Sequence, residues 1–379
     1  MRILMTGGGT GGHVNPALAI ANTIKQNIPD AEIAFVGTNR GIENTLVPKA
    51  GYKLYHINVR GFWRKITWKN IRAAYLAAVS PIRAGKLIRS FKPDAVIGTG
   101  GYASWPILMA AAKRGIPTAV HEANAVPGLT VRKLSPHIDR IFVNFAVTAE
   151  HLDHPEKVMH VGCPMLNVRE SISRTEARAR LEIPQDCRHY ILSFGGSLGA
   201  SRMNEAALEL TRDVITRRPE VTLIHACGSM GYEKTRAAFE EAGLLDLPNL
   251  RLVEYIYDMP IQMAAADLVI CRAGAITLSE LASQGKAAIL IPSPNVTDDQ
   301  QYKNAKVLSD GAGAVLIRES ELDDGRIGKE VERLICEPYR LEEMRRNVKK
   351  FAANDANGLI FDEIMRLIKE REVAQKSDG

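Results

Sequence analysis

The sequence has few cysteines, and they are not arranged as in a disulfide framework or a zinc site. No two of them form a Cys-x-x-Cys pair, and all are at least 24 positions apart: Cys163, Cys187, Cys227, Cys271 and Cys336. An odd number of widely spaced cysteines excludes the small disulfide-stabilised class of secreted domains. We therefore expect a reducing cytoplasm as the location of the protein.

Long hydrophobic runs are also missing. The best candidate, the uncharged residues 95–112, contains Gly98, Gly100, Gly101 and Pro106. It falls short of the continuous apolar span of about 20 residues that a transmembrane helix needs. At the N-terminus a short strand leads directly into a glycine loop, without room for the apolar segment of a secretory signal. The sequence therefore predicts neither a membrane-spanning helix nor a signal peptide.

Acidic residues are absent between Glu43 and Asp94, an interval that contains eleven Lys and Arg. The whole chain has 49 basic and 43 acidic residues and a net charge of +6, so the remainder of the chain is acidic. Aromatic residues within a basic segment are typical of a surface that meets anionic lipid. We therefore expect membrane contacts from Trp63, Arg64, Lys65, Trp68 and Lys69, with nucleic acid as the alternative partner.

Short apolar and β-branched runs alternate with helical patterns along the chain, which is typical of parallel α/β sheets. We predict nine strands, at residues 2–5, 33–36, 95–97, 118–121, 190–194, 222–226, 251–253, 268–271 and 288–291. The two halves follow one plan, because each opens with a strand and a glycine-rich loop. We therefore expect an α/β protein with two Rossmann-like, doubly wound parallel-sheet domains that face a central cleft.

Proline and asparagine residues near position 164 interrupt the periodicity and predict a domain boundary there. We expect a first domain over residues 1–163, a second over residues 164–345, and a charged helical tail over residues 346–379. Ligands of doubly wound sheets bind beyond the carboxyl ends of the strands. The candidate functional residues are therefore those in the loops that follow the strands.

The first glycine loop, residues 7–12, lies between a strand and a helix and contains five glycines in six positions. Glycines allow backbone N–H groups to face a ligand at the positive end of a helix. Gly7, Gly9 and Gly12 satisfy the dinucleotide fingerprint, but no carboxylate directly follows the second strand to hold a ribose. No lysine follows the last glycine, as a Walker phosphate loop requires. We interpret the loop as functional, with an NAD-dependent oxidoreductase as an alternative.

Four side chains beside these loops are candidates for chemistry. His13, the only ionisable side chain of the first loop, is interpreted either as a structural hydrogen-bonding group or as a general base. Glu122 also follows a predicted strand and is the second candidate base. In the second half, Ser197 adds a hydroxyl to a glycine loop, and Glu280 is either a partner of a helix dipole or an acceptor for ribose hydroxyls.

Six motifs, in order along nearly the whole chain, resemble a family of bacterial cell-wall glycosyltransferases. They are residues 7–13 with Pro16 and Ala17, 98–104, 121–124, 195–200, 271–280 and 299–301. Members of this family move N-acetylglucosamine from UDP-N-acetylglucosamine to the 4-hydroxyl of a lipid-linked N-acetylmuramyl pentapeptide. The resemblance implies a glycosyltransferase B fold, an inverting transfer from lipid I to lipid II in peptidoglycan synthesis, no catalytic metal and no cofactor. It also implies that the C-terminal helix returns to the first domain.

The resemblance further implies which residues bind the substrates. His13 and then Glu122 are the candidates for the catalytic base. The donor is expected to contact Thr10, Gly11, Gly12, Asn124, Arg169, Ser197, Ile256, Ala275, Ile276, Thr277, Leu278, Ser279, Glu280 and Gln300. Tyr102 and Ser104 are expected at the acceptor. Arg169 matches the family's donor-site arginine only if three residues are inserted.

The implied partners are an anionic membrane surface, the undecaprenyl-diphosphate-linked muramyl pentapeptide, and cell-wall synthesis and division proteins. The implied location is the cytoplasmic face of the bacterial cell membrane, with peripheral attachment, and a lipid-linked acceptor favours a membrane over nucleic acid beside the basic segment. Three residues depart from the family pattern, namely Asn15, Trp105 and Ala123. A non-catalytic membrane-surface adaptor on the same fold is the second alternative function.

Overall fold

The structure is a computed structural model that describes residues 1–59, 80, 82–166, 172–353 and 355–377. The chain divides into two compact units, the first comprising Met1–Val168 and Ala353–Gly379 and the second Arg169–Ala352. Each unit contains one parallel sheet covered by helices. The prediction of an α/β protein with two parallel-sheet domains is confirmed.

The first unit contains a seven-stranded sheet. Its strands are β1 (Arg2–Thr6), β2 (Glu32–Gly37), β3 (Lys53–His56), β4 (Ala95–Gly98), β5 (Thr118–Glu122), β6 (Arg140–Val143) and β7 (Val158–His160). They are arranged in the order β3-β2-β1-β4-β5-β6-β7. Ile3 and Met5 of β1 pack into one core and Leu4 into another. Because both faces are covered, the central strands are almost continuous apolar runs.

The second unit contains a six-stranded parallel sheet. Its strands are β8 (His189–Phe194), β9 (Val221–Ala226), β10 (Leu250–Val253), β11 (Leu268–Cys271), β12 (Ala288–Leu290) and β13 (Ala314–Leu316). They are arranged in the order β10-β9-β8-β11-β12-β13. All nine predicted strands are present. The four that were not predicted, β3, β6, β7 and β13, have three or four residues each.

Helices connect the strands of both sheets. In the first unit they are α1 (Gly11–Asn27), α2 (Glu43–Lys49), α3 (with residues 82–91 described), α4 (Ser104–Ala112) and α5 (Leu129–Leu134). The second unit contains α6 (Arg174–Arg180), α7 (Ser201–Asp213), α8 (Tyr232–Glu241), α9 (Met259–Ala265), α10 (Ala275–Gln284), α11 (Gln300–Asp310), α12 (Arg326–Cys336) and α13 (Pro338–Lys349). The last helix, α14 (Ala356–Ser377), belongs to the first unit. None of the helices in the described part of the chain has both the length and the apolar character to cross a bilayer.

The C-terminal helix α14 packs against α1 of the first unit. Ile360 and Ile364 are buried in the same core as Ile3 and Met5, and Glu363 forms an ion pair with Arg140 of β6. Each buried isoleucine contributes about 1.5–3 kcal/mol relative to an exposed one. The expected tail of residues 346–379 begins inside α13 of the second unit, so in the structure the chain returns at Ala353 rather than at residue 346.

Candidate functional site

In both sheets the strand order reverses beside the first strand of the unit. In the first unit β1 pairs with β2 on one side and β4 on the other, and in the second unit β8 lies between β9 and β11. Doubly wound sheets bind ligands at such reversals, beyond the carboxyl ends of the strands. The glycine loops of residues 7–12 and 195–199 leave the sheets at these two points.

The first glycine loop lies against the loop of residues 99–101 that follows β4. Gly101 has φ of +78°, and a Cβ atom there would lie 2.7 Å from the carbonyl oxygen of Gly8. A Cβ atom on Gly7 would overlap the hydroxyl of Thr99. The close approach of the two loops therefore requires glycine at these positions.

His13 is held by the loop that follows β4. Its Nδ1 lies 2.7 Å from the carbonyl oxygen of Thr99, whose hydroxyl donates to the carbonyl oxygen of His13, also at 2.7 Å. Since a carbonyl can only accept, Nδ1 carries the proton of the neutral ring and Nε2 keeps its lone pair. A half-buried imidazole with a fixed ring and a basic Nε2 suits a general base.

Glu122, the second candidate base, is buried and has both carboxylate oxygens in hydrogen bonds. Oε1 accepts from the backbone N–H (2.9 Å) and the side-chain Nδ2 (3.0 Å) of Asn124, and Oε2 accepts from the N–H of Gly128 (2.9 Å). These contacts shape the loop of residues 123–128. Both carboxylate oxygens of Glu122 are therefore engaged by this loop.

Glu43 at the start of α2 is a buried carboxylate that the sequence analysis did not identify. Its Oε2 accepts from the N–H of Gly9 (2.8 Å), and its Oε1 accepts from the N–H (2.9 Å) and hydroxyl (2.8 Å) of Thr38. Burial by itself would raise the pKa of Glu43, but the hydrogen bonds from Gly9, from the backbone N–H of Glu43 itself and from Thr38 outweigh it, and the pKa lies below its usual value. A carboxylate thus does follow β2, but it is directed at the glycine loop.

The other candidates of the first unit differ in accessibility. Thr10 and Gly12 are exposed at the start of α1, where no side chain within the described residues caps the helix, and Tyr102 is 54% exposed. Ser104 is fully buried, and its hydroxyl lies 2.6 Å from the carbonyl oxygen of Gly100. The hydroxyl of Ser104 therefore holds the loop of residues 99–101, while Thr10, Gly12 and Tyr102 are accessible to a ligand. The remaining candidates Trp63, Arg64, Lys65, Trp68, Lys69 and Arg169 lie outside the described residues.

The three residues that depart from the family pattern have different local surroundings. Trp105 packs against the hydrophobic core beside α4, and Ala123 is buried, with its carbonyl oxygen accepting from Asn144 at 3.0 Å. Asn15 is half-buried in the first turns of α1. Trp105 and Ala123 are therefore both part of the packed interior of the first unit.

A cavity of about 540 Å³ lies at the reversal in the second sheet. Its lining includes Ala200 and Gly274, which directly precede α7 and α10, so the N-termini of two helices meet there. Among the described residues, no acidic side chain lies in the first turn of either helix and no side chain caps them. Free N–H groups and the positive ends of two helix dipoles favour an anion in this cavity.

Two arginines that line this cavity were not among the predicted site residues. Arg272, directly after β11, forms an ion pair with Glu319 and donates to the carbonyl oxygens of Ile291 (3.2 Å) and Pro292 (3.1 Å). Arg202 lies in the first turn of α7. The position of Arg272 at a strand end was the available signal, but its partners come from distant parts of the chain.

Only some of the predicted donor residues line the cavity. Thr277 lines it, Ser197 is exposed on the glycine loop, and Gln301 lines it where Gln300 was predicted. Ala275 and Ile276 form the first turn of α10. The remaining predicted donor residues of this unit, Ile256, Leu278, Ser279 and Glu280, are outside the lining.

The side chains outside the lining have several kinds of surroundings. Leu278 and Ile256 are buried, and the hydroxyl of Ser279 donates to the carbonyl oxygen of Ala275 at 3.0 Å. Glu280 is half-buried, and burial raises its pKa. Because burial makes the charged form of this carboxylate less stable, hydrogen bonds from donors such as hydroxyl groups stabilise it.

Sequence comparison identifies both units. The profile described as the glycosyltransferase family 28 N-terminal domain matches residues 3–143, and the one described as the family's C-terminal domain matches residues 190–360. The chain belongs to glycosyltransferase family 28. The enzyme class predicted from the sequence is thereby confirmed, and the comparisons do not support an oxidoreductase or a non-catalytic adaptor.

Individual relatives of this family 28 glycosyltransferase cover nearly its whole length. The chain is 40% identical to a protein of Caldanaerobacter subterraneus subsp. tengcongensis, over 95% of this chain and 98% of the relative. It is 39% identical to one of Acetivibrio thermocellus, over 98% and 99% respectively. Both are named UDP-N-acetylglucosamine--N-acetylmuramyl-(pentapeptide) pyrophosphoryl-undecaprenol N-acetylglucosamine transferase. The crystal structure of Acinetobacter baumannii MurG is similar with a TM-score of 0.78 and 29% identity, over 96% of this chain and 99% of that one.

In this family 28 glycosyltransferase a buried polar network supports the second glycine loop. Asn204 of α7 donates to the carbonyl oxygen of Cys227 (3.1 Å) and accepts from Nε2 of His225 (3.0 Å), whose Nδ1 lies 2.9 Å from the hydroxyl of Ser193. A Cβ atom on Gly199 would overlap the carbonyl oxygen of Cys227. The network therefore fixes the turn on which the loop packs. Burial lowers the pKa of His225 to about 4.

The network makes stability dependent on pH. Below pH 6.5 the unfolded chain binds a proton at His225 that the folded protein rejects until the pH is near 4, so stability falls as the pH decreases through this range. We expect His225 to account for a loss of about 2 kcal/mol between pH 7 and pH 5. Calorimetric unfolding of the wild type and His225→Gln measures this loss. Equal pH dependence in the two proteins would contradict the prediction.

Proposed function

We propose that this family 28 glycosyltransferase moves N-acetylglucosamine from UDP-N-acetylglucosamine to the 4-hydroxyl of a lipid-linked N-acetylmuramyl pentapeptide, which converts lipid I to lipid II in peptidoglycan synthesis. The observation that carries the proposal is the cavity at which the N-termini of α7 and α10 meet, since it suits the diphosphate of a sugar nucleotide. The printed names of relatives at 39–40% identity support both substrates.

The donor diphosphate is assigned to the second unit. As the bond from the sugar C1 to the diphosphate breaks, negative charge develops on UDP. The backbone N–H groups of Ala275, Ile276 and Thr277 and the hydroxyl of Ser197 are assigned to stabilise that charge. Arg202 and Arg272 also line this cavity, where Arg272 is paired with Glu319 and Arg202 with Glu205 and Asp323. Electrostatic stabilisation of this kind is often the largest part of catalysis.

The remaining donor contacts are proposed from the family resemblance. Glu280 is assigned to the ribose hydroxyls, Ile256 to the uracil ring and Gln300 to the sugar. Leu278 is buried and the hydroxyl of Ser279 is bonded within the helix, so these two residues are assigned to support the first turns of α10. Further contacts to the donor and the acceptor are assigned to Thr10, Gly11, Gly12, Tyr102, Asn124 and Arg169, of which Arg169 lies outside the described residues.

His13 is the proposed general base. Its Nε2 accepts the proton of the acceptor 4-hydroxyl while that oxygen attacks C1 of the donor sugar and UDP leaves from the opposite face, which inverts the configuration at C1. The resulting imidazolium keeps its hydrogen bond from Nδ1 to the carbonyl oxygen of Thr99. This bond orients the ring and stabilises its charge.

The direct test is transfer of labelled N-acetylglucosamine from UDP-N-acetylglucosamine to a short-chain analogue of the lipid-linked acceptor. We expect a labelled disaccharide product and one equivalent of UDP. Absence of transfer, with binding of NADH detected by its fluorescence, would favour the oxidoreductase alternative. Vesicle binding without transfer or hydrolysis of the UDP-sugar would favour the adaptor alternative.

We also propose peripheral attachment to the cytoplasmic face of the cell membrane, with cell-wall synthesis and division proteins nearby. The support comes from the basic segment. In its described part, Arg83, Lys86 and Arg89 of α3 are exposed, while Ala84 and Ile88 are buried in the core. The helix therefore buries its apolar face and presents positive charge outward, as a surface facing anionic lipid does.

Charge reversal within the segment tests the membrane proposal. We expect Arg64→Glu, Lys65→Glu and Lys69→Glu together to weaken binding to anionic phosphatidylglycerol vesicles about 100-fold or more at low salt, because each basic residue near such a surface is worth about 1 kcal/mol before screening. Sedimentation with vesicles measures the change. The control is reversal of three exposed lysines of the second unit, Lys234, Lys329 and Lys350. Equal binding of the triple variant and the wild type would refute the proposal.

A further inference from the structure

The carboxylate of Glu43 makes contacts that the proposed reaction does not use. Glu43 is 0% exposed although it lies on the short surface helix α2, and it accepts three hydrogen bonds, from Gly9 and Thr38. A buried charged group needs such partners to offset its lost hydration. Here one of them comes from the glycine loop that leads to the proposed base.

The backbone around Glu43 leaves space for its carboxylate, because three residues that surround the side chain are glycines. A Cβ atom on Gly8 would lie 2.5 Å from a carboxylate oxygen of Glu43, and one on Gly37 would lie 2.6 Å from its Cγ. A Cβ atom on Gly41 would overlap the carboxylate as well. Three backbone segments therefore close around this side chain, and each has glycine where it does so.

We propose that Glu43 is a positioning residue that fixes the glycine loop of residues 7–12 and, through it, the imidazole of His13. This inference rests on the proposed function, in which His13 is the base. Gly9 is exposed and has φ of +90°, and α1 with His13 begins two residues after it. The bond from Gly9 to Glu43 holds one side of the loop, while Thr99 and Gly101 hold the other.

The same contact places a carboxylate of the chain itself at the loop with the dinucleotide fingerprint. In such loops the backbone N–H groups face the phosphates of the ligand. In this protein the carboxylate of Glu43 already accepts from the N–H of Gly9. An anion supplied by the chain itself therefore occupies part of the loop, and only the start of α1 is open to substrate.

Glu43→Gln is the sharpest test, because it keeps the size of the side chain. Three donors are directed at the two oxygens of Glu43, and glutamine offers one oxygen and an NH₂ group. At least one donor then faces another donor, and the bond to Gly9 or that to Thr38 is lost. We expect kcat for N-acetylglucosamine transfer to fall about tenfold, since small misplacement of a catalytic group is costly. The affinity for UDP, measured by calorimetry, is expected to stay within about twofold because the donor cavity belongs to the second unit.

Asp139→Asn is the matched control. Oδ2 of Asp139 accepts from the N–H (2.8 Å) and hydroxyl (2.7 Å) of Thr118, the same pair of donors that Thr38 presents to Glu43. Thr118 lies at the start of β5, at the end of the sheet where the strands begin. The glycine loop lies at the opposite end, after the last residue of β1. We expect Asp139→Asn to lose stability without loss of kcat.

Hydrogen–deuterium exchange supplies a readout that is independent of activity. We expect the peptide of residues 7–13 to exchange at least about fivefold faster in Glu43→Gln and unchanged in Asp139→Asn, because loss of a local bond permits local opening. Thr38→Val, which removes one donor and keeps the bond to Gly9, provides a milder variant if Glu43→Gln does not fold, and is expected to raise exchange less.

The outcomes separate the two proposals. Wild-type protein that transfers no sugar would contradict the proposed function, whatever the exchange data show. An active wild type with normal kcat and normal exchange in Glu43→Gln, or in Thr38→Val if Glu43→Gln does not fold, would overturn the positioning role. An equal loss of kcat in Asp139→Asn would also overturn it, because general destabilisation would then explain both results.

Discussion

Replacement of His13 with alanine is expected to lower kcat by about 100-fold or more, the range that general-base catalysis contributes. The affinity for UDP is expected to change little, since the assigned diphosphate contacts come from α10 and Ser197. Steady-state transfer to a short-chain acceptor and calorimetry with UDP measure the two quantities. His154→Ala, which removes a partly exposed histidine paired with Glu156, is the control.

A comparison with Glu122 decides between the two candidate bases. Glu122→Gln is expected to loosen the loop of residues 123–128, because Glu122 accepts three hydrogen bonds there. Near-normal turnover in His13→Ala, together with a folded and inactive Glu122→Gln protein, would assign the base to Glu122 instead.

Replacement of Glu280 with alanine is expected to weaken UDP-N-acetylglucosamine binding about 30-fold, because hydrogen bonds to a charged group are worth about 1.5–3 kcal/mol. Calorimetry with UDP and with 2′-deoxy-UDP tests the ribose contact. The wild type is expected to prefer UDP, and Glu280→Ala is expected to bind the two ligands alike. A preference that survives in the variant would contradict the ribose assignment.

The raised pKa of Glu280 adds a pH dependence to donor binding. Because burial raises this pKa, protonation begins at a higher pH than for an exposed glutamate, and the protonated form is a weaker acceptor for ribose hydroxyls. UDP affinity of the wild type is therefore expected to fall as the pH decreases toward that pKa. Glu280→Ala is expected to lose this dependence, and Glu233→Ala on an exposed helix face is expected to keep it.

Much of the fold could be predicted from local pattern. The central strands, such as β1 and β2, are buried along almost their whole length and are therefore mainly apolar. The strands β3 and β7 lie at the edges of the sheet, are short and partly exposed, and leave little pattern. Prediction therefore succeeded where the burial of a strand determines its composition.

The candidate site was predictable in outline but not in the roles of several side chains. Ser104 lies in one of the family motifs, but it is fully buried and bonds to the carbonyl oxygens of Gly100 and Thr6. Leu278 lies within another motif and is also buried. A motif shows that a segment is part of the site, but packing decides which of its side chains face the ligand.

The sequence by itself determined the two parallel sheets, the glycine loops that follow their first strands, and the resemblance to a sugar-nucleotide transferase. These features are local, because strand, turn and helix signals each span only a few neighbouring residues. Only the tertiary structure brought Glu43 to Gly9, Thr99 to His13 and Glu319 to Arg272. Each of these pairs joins residues that are far apart along the chain, so their contacts depend on how the strands are ordered in the sheet. That order gives the glycine loop its internal carboxylate and His13 its basic Nε2.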